Sequence, residues 1–128
     1  VFWLVVWKVR LGMAGSFRAF GRSMEPVIPS GSRVTIEPLD ADRIELGDIV
    51  VARVGDSTML HLVKTVAADR RQIEISGTSG SANGWTAFDL VYGICTRIGE
   101  TPVPGAGEKV RSFTLGRKIR RRLYVVNR

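Results

Sequence analysis

Ser23, in the run Gly21-Arg22-Ser23-Met24-Glu25-Pro26, and His61, in Leu60-His61-Leu62-Val63-Lys64, are the residues with which this chain could do nucleophilic chemistry. A serine hydroxyl attacks a carbonyl only when a nearby base accepts its proton and fixed donors meet the oxyanion. Gly21 lets the backbone turn sharply ahead of Ser23, and Pro26 stiffens the exit. The backbone N–H groups of Arg22 and Ser23 are the candidate oxyanion hole. Lys64, three residues beyond His61, is a second candidate base. A serine on a Gly/Pro turn is by itself usually no more than a turn. The ordered series of nucleophile, β-rich run and base-bearing strand carries the weight.

Side chains alternate along a strand, so His61 and Lys64 are expected on opposite faces, and only one can reach Ser23. Imidazole is available as a base near pH 7 at its ordinary pKa of about 6.5. An amine must first be lowered from about 10.4 by desolvation, which Leu62 and Val66 could supply around Lys64. This favours His61 as the general base and keeps Lys64 as the alternative. The bland readings are a hydrogen-bonded strand histidine and a lysine on the solvent face.

The elements that must position these groups read as β. Arg33–Glu37, Ile49–Val54, Met59–Val66, Gln72–Ser76 and Leu90–Ile98 are rich in β-branched residues and bounded by turn signals. Residues 12–22 are small and Gly-rich, and are expected to be a connecting strand rather than a helix. Pro38–Leu46 reads as an acidic loop, Ala67–Arg71 as a turn, and Gly77–Asn83 as a Gly/Ser loop before Leu90–Ile98 closes the sheet. Short strands, many turns and no sustained 3.6-residue period imply an all-β fold, a small partly open barrel or sandwich of mostly antiparallel strands.

The chain has 128 residues, enough for one domain with one modest core. Its net charge of +7 is unevenly placed. Residues 1–108 hold 11 Lys/Arg against all 12 Asp/Glu, and residues 109–128 hold the other eight cations and no acid. The body is thus nearly neutral, and the basic tail suits anionic lipid, nucleic acid or solvent. No DNA-reading motif accompanies it, so a specific nucleic-acid partner is not expected. One Cys and one His exclude an intrachain disulfide and a structural zinc site, and no cofactor is expected. Gly93-Ile94-Cys95-Thr96 reads as a strand with a buried thiol.

The opening Val-Phe-Trp-Leu-Val-Val-Trp is too short to span a bilayer, which takes about 20 residues. It can lie at an interface, form the end of a longer segment, or cap the core as a strand or helix. The expected organisation is an apolar segment at 1–16, a catalytic domain at 17–100, and a basic tail at 101–128 whose order fades as Pro and Gly accumulate.

Ser23-Met24-x-Pro26, the following Gly31, Gly47-Asp48-Ile49-Val50-Val51 and the base-bearing strand resemble the superfamily of signal peptidase I and the SOS-repressor (LexA-like) autoproteases, over roughly residues 17–98. The resemblance implies a β-rich protease with a Ser–His or Ser–Lys dyad and a backbone oxyanion hole at Arg22 and Ser23. Leu60-His61-Leu62-Val63 is similar to the Val-His-Arg-Val of archaeal and endoplasmic-reticulum signal peptidases. Val63-Lys64-Thr65-Val66 is similar to the Val-Lys-Arg-Leu of the repressor type. Two departures stand out. Gly21 replaces the hydroxyl that many signal peptidases carry two positions before the nucleophile, and Ser32 replaces an Asp. The implied function is a signal-peptidase-type serine endopeptidase acting on a peptide or protein substrate. It would be membrane-associated through residues 1–7 and the tail, or otherwise cytoplasmic. The alternatives are a self-cleaving regulator, for which Ala14-Gly15 is the one small-residue–Gly bond upstream of Ser23, and an inactive β-fold binding module.

Overall fold

The computed structural model describes residues 2–111. It opens on a helix, α1 (Phe2–Arg10), followed by β1 (Gly15–Ala19), β2 (Ser32–Glu37), β3 (Ile49–Val54), β4 (Ser57–Ala67), β5 (Gln72–Ser76), β6 (Ala82–Ala87), β7 (Val91–Ile98) and the short β8 (Thr101–Pro102). The strands form one antiparallel sheet in the order β1-β2-β7-β3-β4-β5-β6, with β8 on β7, and the sheet curls into a half-barrel.

The all-β expectation holds, and three local expectations are corrected. The segment 77–83 is a loop only at its start, because Ala82–Ala87 pairs along β5 as a further strand. Ala82, Asn83 and the internal Gly84 conceal its β character from pattern reading, although Trp85 and Thr86 favour a strand. The strand read as closing the sheet is internal, with β2 on one side and β3 on the other. Order continues past Glu100: Ala106 is buried, and Lys109 Nζ pairs with Asp48 Oδ1 (2.5 Å) and Glu45 Oε1 (3.0 Å). The remainder of the basic tail, 112–128, lies outside the described residues.

Two apolar layers hold the curl. One joins Val5, Val6 and Val9 of α1 to Phe17, Val34, Ile36, Ile49, Val51 and Cys95. The other gathers Val50, Val63, Ile73, Ile75, Phe88 and Ile94 on the opposite side of the sheet. The helix approaches so closely that a Cβ on Gly93 would lie 2.8 Å from Val9 Cγ1 and 2.7 Å from Ile36 Cγ2, which explains a glycine in a central strand. Of the readings open for the N-terminal segment, the described residues form a helix that caps the core. Its inner face is buried while Trp3, Leu4, Trp7 and Leu11 face outward.

The curl is what makes a site. In sheet order β1 and β4 are four steps apart, which would be about 19 Å on a flat sheet. Closure, and the return of the chain across residues 20–31, bring the residues after β1 against the middle of β4.

Candidate active site

Ser23 sits on the turn that leaves β1. Gly21 adopts a φ of +109°, a conformation in which a side chain would be strained, and its N–H donates to Ser30 Oγ (3.0 Å). Met24 and Ile28, the apolar residues of the same turn, are 5% and 2% exposed and anchor it to the core. Burial of such side chains is worth about 1.5–3 kcal/mol each. Glu25 N–H donates to the Arg22 carbonyl (3.1 Å) and Ile28 N–H to the Met24 carbonyl (2.8 Å), which winds the turn tightly.

The other side of the turn is clamped by the loop after β5. Thr78 donates from its N–H (2.8 Å) and its Oγ1 (3.2 Å) to the Ser23 carbonyl, and Oγ1 also reaches the Glu25 carbonyl. Gly77 runs so close beneath Ser23 that a Cβ there would collide with the Ser23 carbonyl oxygen. The Ser23 carbonyl is therefore held away from the cleft. Among the described residues, nothing accepts a hydrogen bond from the Arg22 or Ser23 N–H groups, which leaves both donors of the expected oxyanion hole open.

His61 lies in the middle of β4, 9% exposed, paired across the sheet with Val50. Its Nε2 is 2.9 Å from Ser23 Oγ, within hydrogen-bond distance. For Nε2 to accept the hydroxyl proton, the ring's own proton must sit on Nδ1. Nδ1 is buried and has no partner of good hydrogen-bond geometry. Burial lowers the imidazole pKa below its ordinary value, and the Asn83 side chain beside the ring offsets part of that effect. The ring is thus neutral near pH 7, the form that can take a proton.

Lys64 lies elsewhere. β4 carries a register shift between Val63 and Thr65, and the exposed Lys64 sends its Nζ to the Gly80 carbonyl (2.7 Å). The structure thus brings Ser23, His61 and the Arg22 and Ser23 amides together, and leaves Lys64 as a tether on the loop that holds Ser23. Cys95 is fully buried, and burial pushes its thiol pKa up to about 11, so it is unsuited to nucleophilic work. Sequence reasoning gave no role to Gly77, Thr78 or Asn83. The signal was a Gly/Ser-rich loop placed directly after a hairpin strand, but its contacts depend on the curl.

An apolar cleft of about 340 Å³ opens beside the dyad, walled by Phe2, Phe17, Ala19, Met24, Ile28 and Leu60. Its size and apolar lining, with two polar groups converging at one end, suit a ligand-binding cleft. No group of His, Cys, Asp and Glu among the described residues is arranged to hold a metal ion.

The curled antiparallel sheet sets a serine–imidazole pair at the mouth of an apolar cleft, an arrangement able to carry out nucleophilic attack on a carbonyl. The family model described as Peptidase S24-like matches residues 4–79, more than half of the 128, and the chain belongs to that family of serine peptidases. The matched span includes Ser23, His61, Lys64 and Thr78 and ends before Asn83. No curated protein and no solved structure matches the chain.

Proposed function

We propose that this chain is a serine endopeptidase of the signal-peptidase type, acting in trans with Ser23 as nucleophile and His61 as general base. The observation that carries this reading is the 2.9 Å separation between Ser23 Oγ and His61 Nε2. As Oγ bonds to the substrate carbonyl carbon, its proton passes to Nε2, and the oxyanion is met by the Arg22 and Ser23 N–H groups. The imidazolium then gives that proton to the departing amine as the C–N bond breaks. Water, deprotonated by the same nitrogen, releases the acyl group and restores the hydroxyl.

Cleavage in trans is favoured over self-cleavage by the placement of Ala14-Gly15. Gly15 is paired with Ile36 at the far end of β1 from Ser23, and a Cβ added to it would meet Val5 Cγ1 at 3.0 Å. That bond would reach Ser23 only if β1 left the sheet. Association with a membrane surface is supported by the outer face of α1, where Trp3, Leu4 and Trp7 are exposed, with Leu11 just beyond it and Lys8 and Arg10 in its last turn. No helix among the described residues is long and apolar enough to cross a membrane. Flotation with anionic vesicles checks this, with retention of wild type and loss of binding in Trp3→Ser/Trp7→Ser expected.

The enzymatic test is a peptide-library cleavage screen with single variants. Ser23→Ala and His61→Ala should each abolish turnover, while Lys64→Met should retain it. Full activity in Ser23→Ala would remove the mechanism. Loss in Lys64→Met with survival in His61→Ala would move the base to the amine.

A further inference from the structure

Resting on the proteolytic reading above, we infer that the substrate groove continues past the dyad into a second, aromatic–arginine cavity that selects an acidic residue several positions from the scissile bond. The second cavity, about 540 Å³, lies between α1 and the β3–β4 hairpin. Trp3 and Trp7, each with an exposed outer side, line it together with Tyr92, Arg10, Arg53 and Asp56.

The two cavities share a floor and a wall. β4 forms the floor: His61, Leu60, Met59 and Thr58 line the first, and Thr58 lines the second as well. The wall is a run of aromatic rings. Phe17 meets Phe2 edge to face at 5.0 Å, and Phe2 meets Trp3 at 5.7 Å, so the rings lead from the first cavity into the second. At the junction Thr58 Oγ1 is buried and has no hydrogen-bond partner. The step from His61 to Thr58 is about 10 Å, the length of three residues of extended chain.

Charge identifies the occupant. Arg10 stacks over Tyr92 with its guanidinium 5.2 Å from the ring centre, and has no carboxylate partner among the described residues. Arg53 bonds the Gly55 carbonyl (2.9 Å) and meets the fully exposed Asp56 only at 4.0 Å. Two cations face one loosely held acid, across from rings that would cover the methylenes of a glutamate. An acidic side chain fits this better than a basic one.

The test is a peptide series with one fixed cleavable bond and a single Glu, Gln or Lys placed three to seven residues away on either side. Affinity for Ser23→Ala is read by fluorescence anisotropy, and kcat/KM by cleavage with the wild-type protein. At one position Glu should exceed Gln by roughly three- to fivefold at low salt, and the advantage should shrink at high salt. In Arg53→Glu the order should invert, with Lys preferred; comparing ratios within each protein cancels any general loss. Cleavage with no acidic preference at any position, or a preference unchanged in Arg53→Glu, overturns the inference. Acid-selective binding without cleavage supports the groove and sinks the proteolytic reading instead.

Discussion

Adding one methyl group at Gly77 should impair the site while leaving the side chains of Ser23 and His61 chemically unchanged. A Cβ there would lie 3.3 Å from both the carbonyl carbon and the Cβ of Ser23, and would collide outright with the Ser23 carbonyl oxygen. Backbone, not a flexible side-chain tip, is what must yield. Restoring van der Waals contact requires the serine turn and the loop to part by on the order of 1 Å. That movement breaks the hydrogen bonds from Thr78 to the Ser23 carbonyl and carries Oγ off the 2.9 Å contact with His61. Misplacement of this size costs up to about 100-fold in rate, and overpacking costs about 1–3 kcal/mol of stability. Steady-state cleavage of a library-selected peptide by Gly77→Ala should show kcat reduced by roughly 10- to 100-fold with KM little changed. Thermal unfolding should confirm a folded but less stable protein. An unchanged kcat would refute the idea that the loop after β5 holds the nucleophile in place.

Other perturbations test the surroundings. Asn83→Asp places a carboxylate beside His61 and should raise the acid limb of the kcat/KM profile by roughly one to two pH units; an unmoved limb would mean residue 83 does not act on the ring. Lys109→Met strands the nearly buried Asp48 carboxylate and should cost about 3 kcal/mol in urea unfolding, the low end for breaking a buried pair. The Lys109 amine loses some basicity to burial but gains more from Asp48 and then Glu45, so it remains charged at working pH. His61 should also couple stability to pH. Its folded pKa is depressed by burial, so the unfolded chain binds the proton more readily, and stability falls as pH drops below about 6.5 toward the folded value. Unfolding midpoints of wild type and His61→Gln across that range should diverge accordingly.

The strands that build the site were legible because each carries its pattern locally. Ile49–Val54 and Gln72–Ser76 appear in the structure with the bounds read from sequence, and the serine turn was marked by Gly21 and Pro26. The closeness of Ser23 to His61 agrees with the side of β4 expected from sequence, while the position of Lys64 depends on a bulge in that strand. The register shift at Lys64 comes from pairing with β5, which no local pattern encodes. The roles of Gly77 and Asn83 were hidden for a related reason. Their neighbours are 54 and 22 residues away in the chain, and only the curl of the sheet brings them together. The strand Ala82–Ala87 is hard to read because it starts inside a Gly/Ser-rich run, and only pairing with β5 shows that Ala82–Gly84 belong with Trp85 and Thr86.

A single histidine makes the central claim directly measurable. Titration of the His61 imidazole by NMR, set beside the pH dependence of kcat/KM on the same protein, should give one midpoint below about 6.5 that coincides with the acid limb of activity. Activity that ignores the imidazole titration, and instead rises through the alkaline range where an amine loses its proton, would contradict the account.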